Sequence, residues 1–198
     1  ALPILVRVFN DKQMLIRRSR GYAPSPVLLK GDLISDIPVL ACGPELKNTF
    51  CMTKGQKAFL SQHIGDLENM AVNNAYKNSI DLFKRLFTIK PKLIACDMHP
   101  EYFSTKFAKS YAQDNDLPLV QVQHHHAHIA SVMAEHDLKG DVIGVSLDGT
   151  GFGDDGCIWG GEFFIANLSG YERRGHFQYM PLPSGAKAVK EPWRLGLW

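Results

Sequence analysis

Apolar residues fall in short runs separated by glycine, proline and asparagine, and the spacing within the runs alternates between strand-like and helix-like periods. Leu2 to Phe9 is an apolar segment, Asn10-Asp11 a turn and Met14 to Ile16 a second strand. The basic run Arg17-Arg18-Ser19-Arg20 and the proline-rich Ala23-Pro24-Ser25-Pro26 follow. Two strands this short do not make a domain, and the prolines favour an extended connector. Residues 1–36 are therefore expected to be the end of a preceding unit plus a linker. From Pro38 the pattern is regular: strands at Val39–Cys42, Thr49–Thr53 and Ala58–Ser61, with turns at Gly43-Pro44 and Lys54-Gly55. Asp66 is placed to cap a long helix, apolar at Leu67, Met70, Ala71, Ala75, Leu82, Phe83 and Leu86, that ends before Pro91. Leu93–Cys96 reads as a buried strand, Tyr102–Gln113 as a helix, Leu119–Val122 as a strand, and His124–His136 as a helix with Ile129, Val132 and Met133 on one side. Phe83, Phe87, Phe103, Phe107 and Tyr111 fall at helical spacing and are expected in the core.

The order βββαβαβα implies an α/β fold in which a meander continues into parallel strands joined by right-handed crossovers, with helices over the faces of a mixed sheet. It matches the ribonuclease-H-like half of actin-like (ASKHA) folds, here over residues 37–138. After Lys139-Gly140 the pattern restarts: Val142–Leu147 is a strand, a glycine-rich turn follows, Cys157–Asn167 pairs back and Tyr171–Tyr179 is strand again. Residues 139–198 thus read as the opening of a second, incomplete lobe. Lys190–Trp198 is a helical turn with Pro192 near its start and Trp193 and Leu197 on one face.

The composition, 45% hydrophobic and 21% charged over 198 residues, is that of a soluble globular protein, and a net charge of +2 does not argue for a nucleic-acid partner. No apolar run approaches the roughly 20 residues of a membrane span, and the start resembles no export leader, so a cytoplasmic location is expected, with no membrane and no nucleic-acid contact. The four cysteines lie far apart with no CxxC pair, which leaves neither a zinc finger nor a disulfide framework to be read from spacing.

Candidate chemistry concentrates where a buried strand passes into a helix, at Gln123-His-His-His-Ala-His128. In a helix, positions four apart share a face, so His124 and His128 can offer two neutral ring nitrogens to one metal ion while His125 and His126 point elsewhere. No Glu stands at the second position of this HxxxH, so a metalloprotease mechanism lacks its general base. A second signal is Asp148-Gly-Thr-Gly-Phe-Gly-Asp-Asp-Gly156 between two apolar strands. Gly149, Thr150, Gly151, Gly153 and Asp154 form a candidate phosphate cradle, from backbone N–H groups and a hydroxyl, alongside the alternative of a plain tight turn. Asp148, at the carboxyl end of its strand, can add a hard oxygen ligand to the histidines' metal. Lys47, in the first strand-turn-strand, is a weaker candidate for neutralising a phosphate. Spacing places no general base.

The segments RRSRGYAPSP, GPELKNTFC, FLSQHIGDLEN, ACDMHPEYFSTKFA, VQHHHAHIASVMAEH, DGTGFGDDGCIWGGEFF and KEPWR, in that order, resemble the HypF family of carbamoyltransferases, which mature nickel–iron hydrogenases. The resemblance covers nearly the whole chain: the end of a YrdC-like domain to about residue 26, then the first part of the family's carboxyl-terminal domain, which is similar to the enzymes of threonylcarbamoyladenosine synthesis. It implies ATP-dependent transfer of a carbamoyl group from carbamoyl phosphate, through carbamoyl adenylate, to the carboxyl-terminal cysteine of HypE, on the way to a cyanide ligand. It implies that His124, His128 and Asp148 ligate iron or zinc, completed by a downstream Asp absent from these residues, and that ATP binds with magnesium. Ser184-Gly185-Ala186 departs from the Gly-Gly-Asp that relatives often carry before the KEPWR-like segment. Rival readings are an actin-fold small-molecule phosphotransferase and a non-catalytic metal- and nucleotide-binding scaffold.

Overall fold

The computed structural model describes residues 4–19, 21–183 and 185–197. Arg20, Ser184, Trp198 and the side chains of Ala186 and Leu197, all used in the reading above, lie outside the described residues. The chain opens with an antiparallel hairpin of β1 (Leu5–Phe9) and β2 (Lys12–Arg17). Asn10 and Asp11 take φ of 50° and 58° at its turn, the conformation a two-residue hairpin loop needs. Val27–Leu28, expected within a linker, instead form β3, which pairs with a later strand and edges the main sheet.

The meander is β4 (Val39–Ala41), β5 (Cys51–Lys54) and β6 (Lys57–Leu60), followed by α1 (Met70–Leu86), β7 (Leu93–Asp97), α2 (Phe103–Asp114), β8 (Leu119–Val122) and α3 (His124–His136). The sheet order is β3-β6-β5-β4-β7-β8, antiparallel through β4 and parallel from β4 to β8. This is the mixed α/β sheet the pattern implies. Gly43, two residues past β4, has φ +71°, and a Cβ there would stand 2.2 Å from the Thr49 carbonyl oxygen, so the turn closes only on glycine.

Two local expectations for α1 are corrected. Asn69 caps the helix, its Oδ1 accepting from the Ala71 and Val72 N–H groups at 2.9 and 3.4 Å, while Asp66 accepts from the Lys47 N–H at 2.8 Å. The buried stripe is Asn73, Tyr76, Ile80 and Phe83, and Met70 is 74% exposed, with Leu82 and Leu86 also outside the core. A hydrophobicity count misses this because Tyr76 can bury its ring once its hydroxyl donates to the Cys42 carbonyl, 2.9 Å away. Tyr76 then packs edge-on to Phe50 of the meander and Phe107 of α2, joining both helices to one face of the sheet. Full burial of side chains such as Ile80 and Phe83 contributes about 1.5–3 kcal/mol each. Phe103, expected in the core, is 44% exposed.

The second part is β9 (Val142–Ser146), the two-residue ladder of β10 (Gly151–Phe152) with β11 (Ile158–Trp159), then β12 (Glu162–Ala166), β13 (Tyr171–His176) and α4 (Ala186–Lys190). β9, β12 and β13 form an antiparallel sheet in the order β13-β12-β9. The single return strand expected over Cys157–Asn167 is therefore two strands, broken at Gly160-Gly161. Glycine is required at the break: a Cβ on Gly161 would stand 2.3 Å from the Phe177 ring. Ile129 and Met133 of α3 pack with Trp159, Phe164 and Ala166, so this helix carries the histidines from the end of β8 onto the second sheet.

Candidate metal centre

β8 ends at Val122, and Gln123 turns the chain into α3. Gln123 is 4% exposed: its Oε1 accepts from the His126 N–H at 2.9 Å, and its Nε2 donates to the Phe152 carbonyl at 3.1 Å. One side chain thus caps the helix and pins β10 against it. Glutamine is a poor predictor of helix starts, so the pattern could not show this tie.

His124 and His128, one helical turn apart, face the end of β9. His124 Nε2 lies 2.8 Å and His128 Nε2 3.4 Å from Asp148 Oδ2, and one donor atom from each of the three residues falls within 4.8 Å of the others. Two imidazole nitrogens and a carboxylate oxygen converging on one point suit a divalent transition metal. His125 and His126 turn away, as the spacing predicts: His126 Nε2 is 2.8 Å from the Asn167 carbonyl, and His125 is fully buried with Nδ1 2.5 Å from Glu162 Oε2. The other ring nitrogen of His124, Nδ1, is 2.6 Å from Asp97 Oδ2. Asp97 and Glu162 were not singled out by the pattern. The signal for Asp97 was its place at the carboxyl end of a buried parallel strand, where α/β sheets present functional groups.

The hydrogen bond to Asp148, then that to Asp97, raises the His124 imidazole to about 9, against a burial cost in the other direction. The same contacts with His124 and His128 hold Asp148 well below the ordinary carboxylate range. A raised histidine contributes stability fully present below its ordinary value of 6.5 and lost as pH rises toward 9. A depressed carboxylate contributes stability present above its ordinary 3.8 and lost as pH falls through that range. The metal-free site is therefore expected to stabilise the fold at neutral pH and to lose that contribution above about 9. Because a metal must displace the proton on His124, metal affinity should rise with pH from neutrality up to that point. Titrations of metal at several pH values, with proton release recorded, check this; affinity independent of pH would contradict it.

The glycine segment divides in two. Gly149 and Thr150 are exposed, and among the described residues nothing lies within 4 Å of the position of a Cβ on Gly149, so the chain is open to a ligand there. Gly151 and Gly153 are buried and crowded: a Cβ on Gly151 would stand 2.6 Å from His125 Nε2, and one on Gly153 2.1 Å from Trp159 Nε1. These two are glycines because side chains lie against them. Asp154 accepts from the Tyr171 hydroxyl. Lys47 is not brought to the histidines: it lines a separate cleft with Arg17, Gln62 and His63, whereas the cavity of about 420 Å³ beside His124 and His128 is lined by Gly43, Pro44, Thr49 and Asp97. Cys96 also lines that cavity, and burial raises its thiol to about 11.

The family description "HypF Kae1-like domain" matches residues 35–135, and "Carbamoyltransferase, Kae1-like Domain, second subdomain" matches residues 144–198. Carbamoyltransferase HypF2 of Cupriavidus necator is 47% identical over 180 residues, covering 91% of this chain and 22% of the relative. Carbamoyltransferase HypF of Rhizobium leguminosarum bv. viciae is 43% identical over 194 residues, covering 98% of this chain and 24% of the relative. A solved full-length HypF in its phosphate- and nucleotide-bound form superposes with a TM-score of 0.89 at 48% identity, over 96% of this chain and 25% of that one. The HypF of T. kodakarensis does so with a TM-score of 0.84 at 40% identity, over 96% of this chain and 24% of that one. The chain thus spans about a quarter of the length of the relatives it matches. Among the described residues no helix is long and apolar enough to cross a membrane. With the first of these family descriptions alone matching more than half of the residues, the chain belongs to the HypF family of carbamoyltransferases.

Proposed function

We propose that these residues form the acyl-transfer site of an ATP-dependent carbamoyltransferase that passes a carbamoyl group from carbamoyl phosphate, through carbamoyl adenylate, to the carboxyl-terminal cysteine of HypE in the cytoplasm. The observation that carries this reading is the convergence of His124 Nε2, His128 Nε2 and Asp148 Oδ2 beside an open glycine segment, in a chain of this family. His124, His128 and Asp148 would hold iron or zinc, which supplies Lewis-acid polarisation of a bound oxygen. Gly149 and Thr150, exposed beside Asp148, would offer backbone N–H groups to the adenylate phosphate, where negative charge grows as the bond to the carbamoyl carbon breaks.

In the transfer step the acceptor thiolate attacks the carbonyl carbon, the bond from that carbon to the adenylate oxygen breaks, and AMP leaves with the electron pair. In this reading the nucleophile is the partner's thiolate, not the thiol nearest the histidines. Cys96, the thiol beside the histidines, is kept protonated at neutral pH by burial, and a thiol reacts as its thiolate.

The nucleotide product separates this reading from its main rival. The intact protein, given ATP, carbamoyl phosphate and acceptor, is expected to release AMP in amounts that depend on carbamoyl phosphate. Release of ADP with phosphorylation of a small molecule would replace the proposal with a phosphotransferase, and no turnover of ATP would leave a binding scaffold.

A further inference from the structure

We infer that Asp97 is a positioning residue for the metal ligand His124, fixing the tautomer and the plane of its ring so that Nε2 is the nitrogen offered to the metal. The inference rests on the metal-site reading above. Asp97 stands at the last position of β7, a strand of the first sheet, and meets a histidine 27 residues further along the chain. Its Oδ2 is 2.6 Å from His124 Nδ1, on the ring edge opposite the nitrogen that faces Asp148. A carboxylate there cannot ligate the ion that Nε2 binds; it can only accept the Nδ1 proton. That acceptance leaves the lone pair on Nε2, the pattern by which outer carboxylates orient metal-bound histidines.

Asp97 is itself held on all sides. It is 8% exposed, its Oδ1 accepts from the His99 N–H at 2.9 Å, and its carbonyl accepts from Thr105 Oγ1 of α2 at 3.1 Å. With one oxygen tied to the turn after β7 and the backbone tied to α2, the remaining oxygen has little freedom, so the His124 ring inherits the rigidity of the first sheet. His128 shows no such partner among the described residues and is more exposed, which makes His124 the ligand whose geometry is set in advance.

The test is made on the intact protein with zinc and cobalt as probes. Competition with a chelator should show zinc binding about 10–100-fold weaker in Asp97→Ala. Asp97→Asn, which keeps an accepting oxygen in the same place, should recover most of that loss. Cobalt-loaded wild-type protein should give a slowly exchanging, hyperfine-shifted imidazole N–H signal from His124 Nδ1, retained in Asp97→Asn and lost to solvent exchange in Asp97→Ala. Hydrogen-exchange protection of α2 separates a positioning role from a structural one, since β7 packs against that helix. Zinc affinity unchanged in Asp97→Ala overturns the inference, as does an affinity loss equal in both variants and matched by lost protection of α2. Wild-type protein that takes up neither metal overturns the metal-site reading and this inference together, whereas tight wild-type binding with an indifferent Asp97→Ala overturns the inference alone.

Discussion

Glu162→Ala is expected to lower the stability of the second sheet by about 3–5 kcal/mol, the loss that follows when one partner of a buried charged pair is removed. Glu162 is 1% exposed at the start of β12, and its oxygens are divided between two sides. Oε1 accepts from the Gly160 N–H at 3.2 Å and from Arg173 Nη2 at 3.3 Å, while Oε2 lies against His125 Nδ1. Burial is the main influence on His125 and lowers its pKa, so the ring stays neutral and Glu162 balances the Arg173 guanidinium, which lies 4.0 Å over the Trp159 ring. Alanine would leave that guanidinium and a fully buried imidazole facing a void. Glu162→Gln keeps the shape and one acceptor and should cost less, about 1–1.5 kcal/mol, the difference between a charge-assisted hydrogen bond and a neutral one. Hydrogen exchange of the β12 amides reads this locally in the intact protein. Wild-type protection in Glu162→Ala would show that the buried network does not hold the sheet.

The same network explains what could and could not be seen in the sequence. Period and turn residues were enough for the strands at Leu93 and Leu119, the helices that follow them and the mixed sheet they imply, because strand and helix periods alternate there between clear turn residues. They failed for the α1 stripe, where Asn73 and Tyr76 are buried in place of Met70 and Leu82. They also left Gly151 and Gly153 between a phosphate cradle and a plain tight turn, with neither side-chain contact in view. Glycine serves equally to let a ligand approach and to let a side chain lie against the backbone, and only the positions of His125 and Trp159 decide between these uses. His124 and His128 were legible because helical spacing fixes a shared face. Asp97 was legible only as a polar residue ending a buried strand, since its contact with His124 joins two elements and no local pattern records it. The same holds for Gln123, whose bond to the Phe152 carbonyl spans 29 positions.

His124→Ala and His128→Ala are each expected to empty the metal site of the intact protein. Each substitution removes one of the three convergent donors and leaves two, fewer than the three protein ligands that hold a metal with an open position. Asp148→Asn should weaken binding less, since the amide keeps an oxygen and loses the charge. His126→Ala is the matched control from the same helix: it gives up a hydrogen bond to the Asn167 carbonyl but leaves both proposed ligands in place. Metal content per protomer of the purified full-length protein, measured for wild type and these variants after equal exposure to iron or zinc, tests the account most directly. The expected result is full occupancy in wild type and His126→Ala, and near-zero occupancy in His124→Ala and His128→Ala. Metal retained without His124 and His128, or lost with His126 alone, would contradict it.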